Sequence, residues 1–461
     1  MNWKKILKYL SILYFVILLS LLLSIFIKDC KAQSLTNLSI LKSFNLSNYG
    51  LHSTLRSMPF APSYITGNGT DIDPYLLSKA EHIDSIRYLG LNNKYYELIN
   101  DIDLSTIPEF VPIPFDNNAG HFSLEGNGYK LTGLKQTSGA YSGSSGSYSL
   151  GLFMGKGGGD FLVNDLVIEG FKIEYLSSAN QSGTRFCIGL LVSMVTNGCG
   201  AQITNVIVRN SKIKFVGTPT SFPAQSYHGF IVGSFVGGRS NNYSFIKNCL
   251  VEYDSIYFST AFTPNTGHFI GGIVGNITGT YAYQFMYNAS RFNYFYSRTG
   301  STSRKNIGGG LIGEVSVPAS TFNYNYSHSN VSDFGNGGLP NSYPWGWGGI
   351  FGYTGANNVH TFHQNYAANN QCFGVNQSAG FFMEDNSLTT AQLIDSTYNF
   401  CDITSFAEPN TVYGSVRLTT TQYPAPKTST QLKDINTFIG WDFTNTWSID
   451  STNNNGYPYL K

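Results

Sequence analysis

Gly310-Leu311-Ile312-Gly313 decides how this chain is read, because the same short word returns along it. Copies stand at Gly151-Leu152-Phe153, Gly189-Leu190-Leu191, Phe230-Ile231-Val232-Gly233, Gly272-Ile273-Val274-Gly275, Gly349-Ile350-Phe351-Gly352 and Gly380-Phe381-Phe382. A period of about 40 residues is the signature of a solenoid or a propeller. WD-type propeller blades would add recurring Trp-Asp and Gly-His pairs, and no such series runs here. One repeat is long enough for two coils of a parallel β-helix or for one large coil.

Two more columns keep step with the glycines. One runs through Asn164, Asn205, Asn248, Asn288, Asn325, Asn365 and Asn399; the other, five residues on, through Glu169, Asn210, Tyr253, Asn293, Asn330 and Asn370. Asn tolerates the left-handed backbone of a corner, and its amide both donates and accepts along a stack of like residues. The columns therefore read as structural ladders rather than as a row of ligand contacts. Asn288 and Asn325 also head Asn-x-Ser sequons, which a buried ladder would close to glycosylation.

Composition agrees with strands broken by tight turns: 49 Gly, 33 Phe and 31 Tyr in 461 residues. With 12% charged residues and a formal net charge of +1, the chain lacks the Lys/Arg footprint that a nucleic acid demands. Lys4, Lys5 and Lys8 precede the uncharged stretch 9–27, and Cys30-Lys31-Ala32 follows it. Residues 1–32 thus read as a signal peptide or as an uncleaved signal-anchor helix, and either places the remainder outside the cytoplasm. Those 32 residues hold five of the 28 basic side chains, so the exported body is slightly acidic. Residues 33–66 are Ser/Asn/Leu-rich without a period, as in a linker or stalk. Cys187 with Cys199 and Cys372 with Cys401 are the sequence-near cysteine pairs, although sequence leaves their connectivity open.

Capping-box patterns at Ser78-Lys79-Ala80-Glu81, Thr389-Thr390-Ala391-Gln392 and Thr428-Ser429-Thr430-Gln431 mark three short helices at the borders, where a solenoid needs its ends shielded.

The repeat resembles the GLUG-motif proteins. The resemblance extends to a lead-in (Gly67-Asn68-Gly69-Thr70, Asp73-Pro74-Tyr75, Asn100-Asp101-Ile102-Asp103-Leu104, Leu124-Glu125-Gly126-Asn127-Gly128-Tyr129) and to a closing unit (Phe438-Ile439-Gly440-Trp441-Asp442-Phe443, Asn455-Gly456-Tyr457-Pro458-Tyr459-Leu460). It implies a secreted or surface-attached, right-handed β-helix that serves adhesin-like proteins as a scaffold and carries no catalytic residue of its own. The expected organisation is a lead-in over 67–150, repeats over 151–385 and a closing unit over 386–461.

Candidates for chemistry are few. Glu169, Glu252 and Asp254 are the acids a glycosidase or polysaccharide lyase on a β-helix would use, Glu252 and Asp254 being two apart and hence on one side of a strand. Asp71, Asp73, Asp101 and Asp103 form Asp-x-Asp pairs with oxygen ligands for a divalent cation, or turn-forming Asx hydrogen bonds. His-Glu-x-x-His is absent, and so are the spacings of a zinc site. Tyr343, Trp345 and Trp347 offer rings for sugar stacking, or core filling. The expectation is an all-β parallel solenoid at the cell surface, non-enzymatic and without a cofactor. Its partners would be glycans or surface proteins, and the membrane where the N-terminal segment is retained. A carbohydrate-active enzyme and a purely structural coat protein are the alternatives.

Overall fold

The computed structural model describes residues 65–461, except 115–119, 138–140, 143–146, 156, 176–184, 197, 217–224, 238–243, 259–266, 298–305, 319, 334–344, 355–359, 374–376, 380–381, 386–392, 395–397 and 403–424. The N-terminal hydrophobic segment, most of the linker and the Thr389 capping box lie outside the described residues. No described helix is long and apolar enough to cross a membrane.

One repeat makes one large coil of five short strands. Arg185–Gly189, Val192–Val195, Gly200–Thr204, Ile207–Arg209 and Lys212–Phe215 lay down one strand in each of five sheets, here sheets 1 to 5, before Gln225–Gly229 starts the next coil. The strands of successive coils pair in parallel, as in Val163 with Ile203 or Phe322 with Phe362, and antiparallel pairs occur only at Tyr141–Ser142 with Ser147–Leu150 and Trp447–Ser448 with Tyr459–Leu460 among the described residues. Sheets 3 and 4 reach ten strands among the described residues. Strands this short are stable only because each is hydrogen-bonded on both edges and stacks its inward residue on like neighbours. The ring pairs Phe122–Phe161, centroids 5.5 Å apart, and Phe215–Phe258, 4.3 Å apart, are such stacks.

The glycine word builds a re-entrant vertex between sheets 1 and 2. Its apolar pair points into the main core: Phe230 and Ile231 are fully buried there, and the Phe230 ring lies 5.9 Å from Phe295 of sheet 5. The chain thus enters the coil along sheet 1, turns near its middle and leaves along sheet 2. The outward side chains of these two sheets face each other as a second, smaller cluster of Cys187, Met194, Tyr227, Phe269 and Ile307. At the vertex the two backbones touch. A Cβ on Gly275 would lie 2.4 Å from the Gly233 carbonyl oxygen and from the His228 nitrogen, so no side chain fits.

The borders differ from expectation. A helix, α1 (Ala80–Leu89), does follow Ser78, but Ser78 offers its N–H to His82 Nδ1 at 3.2 Å and no side chain caps the helix. The reciprocal capping box forms at the other site: Gln431 N–H donates to Thr428 Oγ1 at 3.2 Å and Thr428 N–H to Gln431 Oε1 at 2.9 Å, starting a single 3-10 turn. Ala425–Lys427 adds the last parallel strand of sheet 4, and the closing residues 428–461 lie along the flank of the solenoid. Phe438, Trp441, Trp447 and Tyr457 bury the outward side chains Tyr326, Tyr366 and Phe400 of sheet 4. Trp447 sits 6.1 Å from Tyr326 and 6.0 Å from Tyr366, and Gln364 Nε2 donates to Gly440 O at 2.8 Å. Apolar residues placed on the outer surface of sheet 4 at these coils require this cover.

All five described cysteines are free and buried, so neither sequence-near pair is joined. Cys187 belongs to the vertex cluster while Cys199 belongs to the main core. Burial pushes the thiols of Cys187, Cys249, Cys372 and Cys401 up to about 12, which keeps them protonated and inert.

Candidate functional site

Two left-handed corners flank sheet 4 in six successive coils, five residues apart. The first carries Asp165, Asn205, Asn248, Tyr287, Tyr324 and Gln364; the second carries Gly170, Asn210, Tyr253, Phe292, Ser329 and Asn369, all at positive φ. The residue after each corner points inward. There Asn288, Asn325, Asn365 and Asn399 form one buried ladder, and Asn293, Asn330 and Asn370 a second. Each side-chain oxygen accepts the backbone N–H of the preceding coil, as Asn325 Oδ1 does from Asn288 at 3.0 Å, and each Nδ2 donates to a carbonyl, as Asn325 does to Phe285 O at 2.9 Å.

The Asn column seen in sequence is therefore two different stacks. Asn288, Asn325 and Asn365 belong to the buried ladder. Asn164, Asn205 and Asn248 do not: Asn205 and Asn248 occupy the corner itself, and their amides hydrogen-bond in series outside the core, at 3.0 Å and 2.6 Å.

The acids do not assemble into a catalytic pair. Glu169 and Glu252 stand on the outer face of sheet 4 in register with Arg209 and Arg291, and each is paired, Glu169 to Arg209 at 3.0 Å and Glu252 to Arg291 at 2.8 Å. Lys130 adds a second partner to Glu169 at 3.4 Å. Asp254, expected on the same side as Glu252, faces the core, because the Tyr253 corner between them reverses the alternation. It occupies the Asn slot of the second ladder, accepting from Ser211 N–H on Oδ1, while Oδ2 has no partner. Burial, and then the Glu252 carboxylate, hold it well above the usual carboxylate range.

The Asp-x-Asp pairs are turn builders. Asp73 accepts Asn68 Nδ2, Asp101 accepts Lys130 N–H at 2.9 Å, and Asp103 caps a 3-10 turn through Ser105 N–H at 2.9 Å. Asp71 sits exposed in the same turn as Asp73, and no metal-holding group of side chains occurs among the described residues. Ser226 Oγ lies 2.8 Å from His228 Nε2 and also meets His268 Nδ1, a pairing that looks nucleophilic. All three are enclosed in the core beside Phe186, Phe215 and Phe258, and burial holds His268 down at about 3, so they fill space out of reach of any substrate.

Trp347 is fully buried, 4.8 Å from Phe295, and is core. Tyr343 and the side chain of Trp345 lie outside the described residues. The exposed rings are elsewhere. On the corner between sheets 4 and 5, the exposed Tyr253 stacks on the half-buried Phe292 at 5.1 Å with planes 9° apart; on sheet 5, the half-buried Tyr257 stacks on the buried Tyr296 at 4.4 Å and 6°, with the exposed Tyr294 alongside at 6.4 Å. Tyr253 is 56% exposed and Tyr294 39%. Bulky residues avoid the left-handed region, at a cost of about 1–2 kcal/mol, and other coils place Gly or Asn at the same corner. Two successive coils thus hold strained aromatic residues where little burial repays them. The sequence signal was Tyr253, the odd member of an Asn column.

No family model matches the chain. A protein of Evansella cellulosilytica described as a Gly-rich membrane protein is 30% identical over 148 residues, which are 30% of this chain and 16% of the relative. The chain thus spans a small part of that relative's length. A crystal structure from Bacteroides ovatus, described as an immunoglobulin A1 protease, aligns over 86% of this chain and 94% of its own at 15% identity and a TM-score of 0.36. That score lends no support to a shared activity.

Proposed function

We propose that this β-solenoid is a non-enzymatic, adhesin-like scaffold of the cell surface that binds glycans through its lateral face. The aromatic terrace carries the reading, because its exposed Tyr253 and Tyr294, set beside the half-buried Tyr257 and Phe292, present apolar ring surface to sugar C–H groups. The ion pairs of Glu169 and Glu252 and the core-facing Asp254 favour this reading over the glycosidase alternative. A glycan array probed with residues 65–461 tests it. Wild type should bind a defined subset of sugars, and Tyr253→Asn combined with Tyr294→Ala should lose at least tenfold in apparent affinity with an unchanged melting temperature. A wild type that binds no sugar overturns the reading.

A further inference from the structure

The closing residues leave a groove where they meet the solenoid. Its volume is about 510 Å³, within the range of about 300–1,000 Å³ usual for small-molecule sites. Ile207, Leu250 and Ala289 of sheet 4 line its apolar part, Asn205, Asn248 and Tyr287 of the first corner one side, and Asn453 and Tyr459 the other; its charged lining is Asp165, Arg291 and Lys461.

Three observations give the groove a chemistry. The outer amide series Asn164–Asn205–Asn248 stops here, because the next corner residue is Tyr287; Asn248 Nδ2 donates back along the series and its Oδ1 accepts nothing among the described residues. Tyr287 is, like Tyr253 and Phe292, a bulky side chain held at positive φ (57°), stacked on Tyr324 at 4.6 Å. Lys247, whose Nζ lies 5.5 Å from the Tyr287 ring centre, has no ion-pair partner among the described residues and borders a hollow shared with Asn205 and Asn248.

We infer that the groove and the hollow adjoining it form a saccharide subsite that takes a sugar residue carrying a carboxylate. Asn248 Oδ1 accepts a sugar hydroxyl, the edge of the Tyr287 ring, whose faces are taken by Tyr324 and Lys247, borders the sugar, and the Lys247 ammonium in the hollow pairs with the carboxylate. A peptide suits the site less well. On a solenoid flank the backbone N–H and C=O groups point along the axis and are already paired with the neighbouring coils, so strand addition has no partner there. Side-chain amide, hydroxyl and ammonium groups are what remains, and they match hydroxyls and a carboxylate.

The inference deepens the glycan-binding reading and rests on it, but it uses different residues, and a titration separates the two. Digalacturonate and cellobiose serve as probes, followed by calorimetry on residues 65–461. Digalacturonate should bind more tightly than cellobiose. Tyr287→Asn, which installs the residue natural to this corner in two other coils and so preserves the fold, should weaken digalacturonate at least tenfold. Lys247→Gln should abolish the preference for the acid, and Tyr253→Asn should leave digalacturonate binding within twofold. Unchanged affinity in Tyr287→Asn overturns the groove and leaves the terrace standing if Tyr253→Asn alone loses binding. Loss in Tyr287→Asn alone supports the groove and leaves the terrace to the glycan array. Absence of digalacturonate binding in the wild type, or displacement of it by an unrelated tripeptide, overturns the groove whatever the terrace does.

Discussion

Asn248 and Asn288 hold the same place in the sequence repeat and opposite places in the molecule. The first is exposed on a left-handed corner; the second is fully buried, one position further along the coil. Between them the period slips by one residue, and one residue across a corner is the difference between solvent and core. Asn suits both places for separate reasons. Its tolerance of positive φ serves the corner, and its two-ended amide serves the ladder. The early coils use the first property and carry Leu166 or Val206 inside; the later coils use the second and carry Tyr287 or Tyr324 outside. Polar and aromatic chemistry have changed sides along the solenoid.

Substitution should separate the two stacks. Asn325→Ala removes the acceptor of Asn288 N–H and Nδ2 and the side-chain donor to the Phe285 carbonyl. It should cost about 3–5 kcal/mol, read as a lowered denaturant midpoint at constant slope. Asn205→Ala should cost about 1–2 kcal/mol, mainly the left-handed backbone. Equal costs would erase the distinction between ladder and corner.

Asp254 sharpens the comparison by placing a carboxyl in an amide ladder. Its folded pKa is raised, so the folded chain binds the proton more tightly than the unfolded one. Stability contributed by this group is full below the ordinary carboxylate pKa and falls as pH rises through that value toward the raised one. Asp254→Asn should remove this slope and stabilise the protein at neutral pH, as urea titrations at pH 4 and pH 8 would show. A variant less stable than wild type at pH 8 would mean that the charged form is tolerated. The smallest effect is expected at the aromatic corners. Tyr253→Asn and Tyr287→Asn should melt within about 1 kcal/mol of wild type, the relieved backbone offsetting the lost ring stack. A large loss in either would make the rings structural.

The parallel solenoid was legible in the sequence because glycine recurs at the vertex, where a Cβ on Gly233, Gly275, Gly313 or Gly352 would strike backbone, and this prints the coil length directly. The five-sided coil was not legible. Strands such as Ile207–Arg209 and Leu250–Glu252 are three residues long, too short for alternation to show. Nor was the change of side at Asp254, since a corner residue interrupts the period of two on which its pairing with Glu252 depended. Of the ring candidates, Trp347 proved to be core. The exposed terrace went unnoticed because its members stack across coils, 39 positions apart for Tyr257 and Tyr296, where no local pattern reveals them.

The closing residues give the last coils a mechanical property that the rest lack. A bare solenoid holds each coil only to its neighbours, so it can fray one coil at a time. Ala289, Tyr326, Tyr366 and Phe400 belong to four successive coils and are gripped by one cluster. Under tension along the axis these coils should give way together, as a strapped bundle does, and their amides should exchange with solvent as one block.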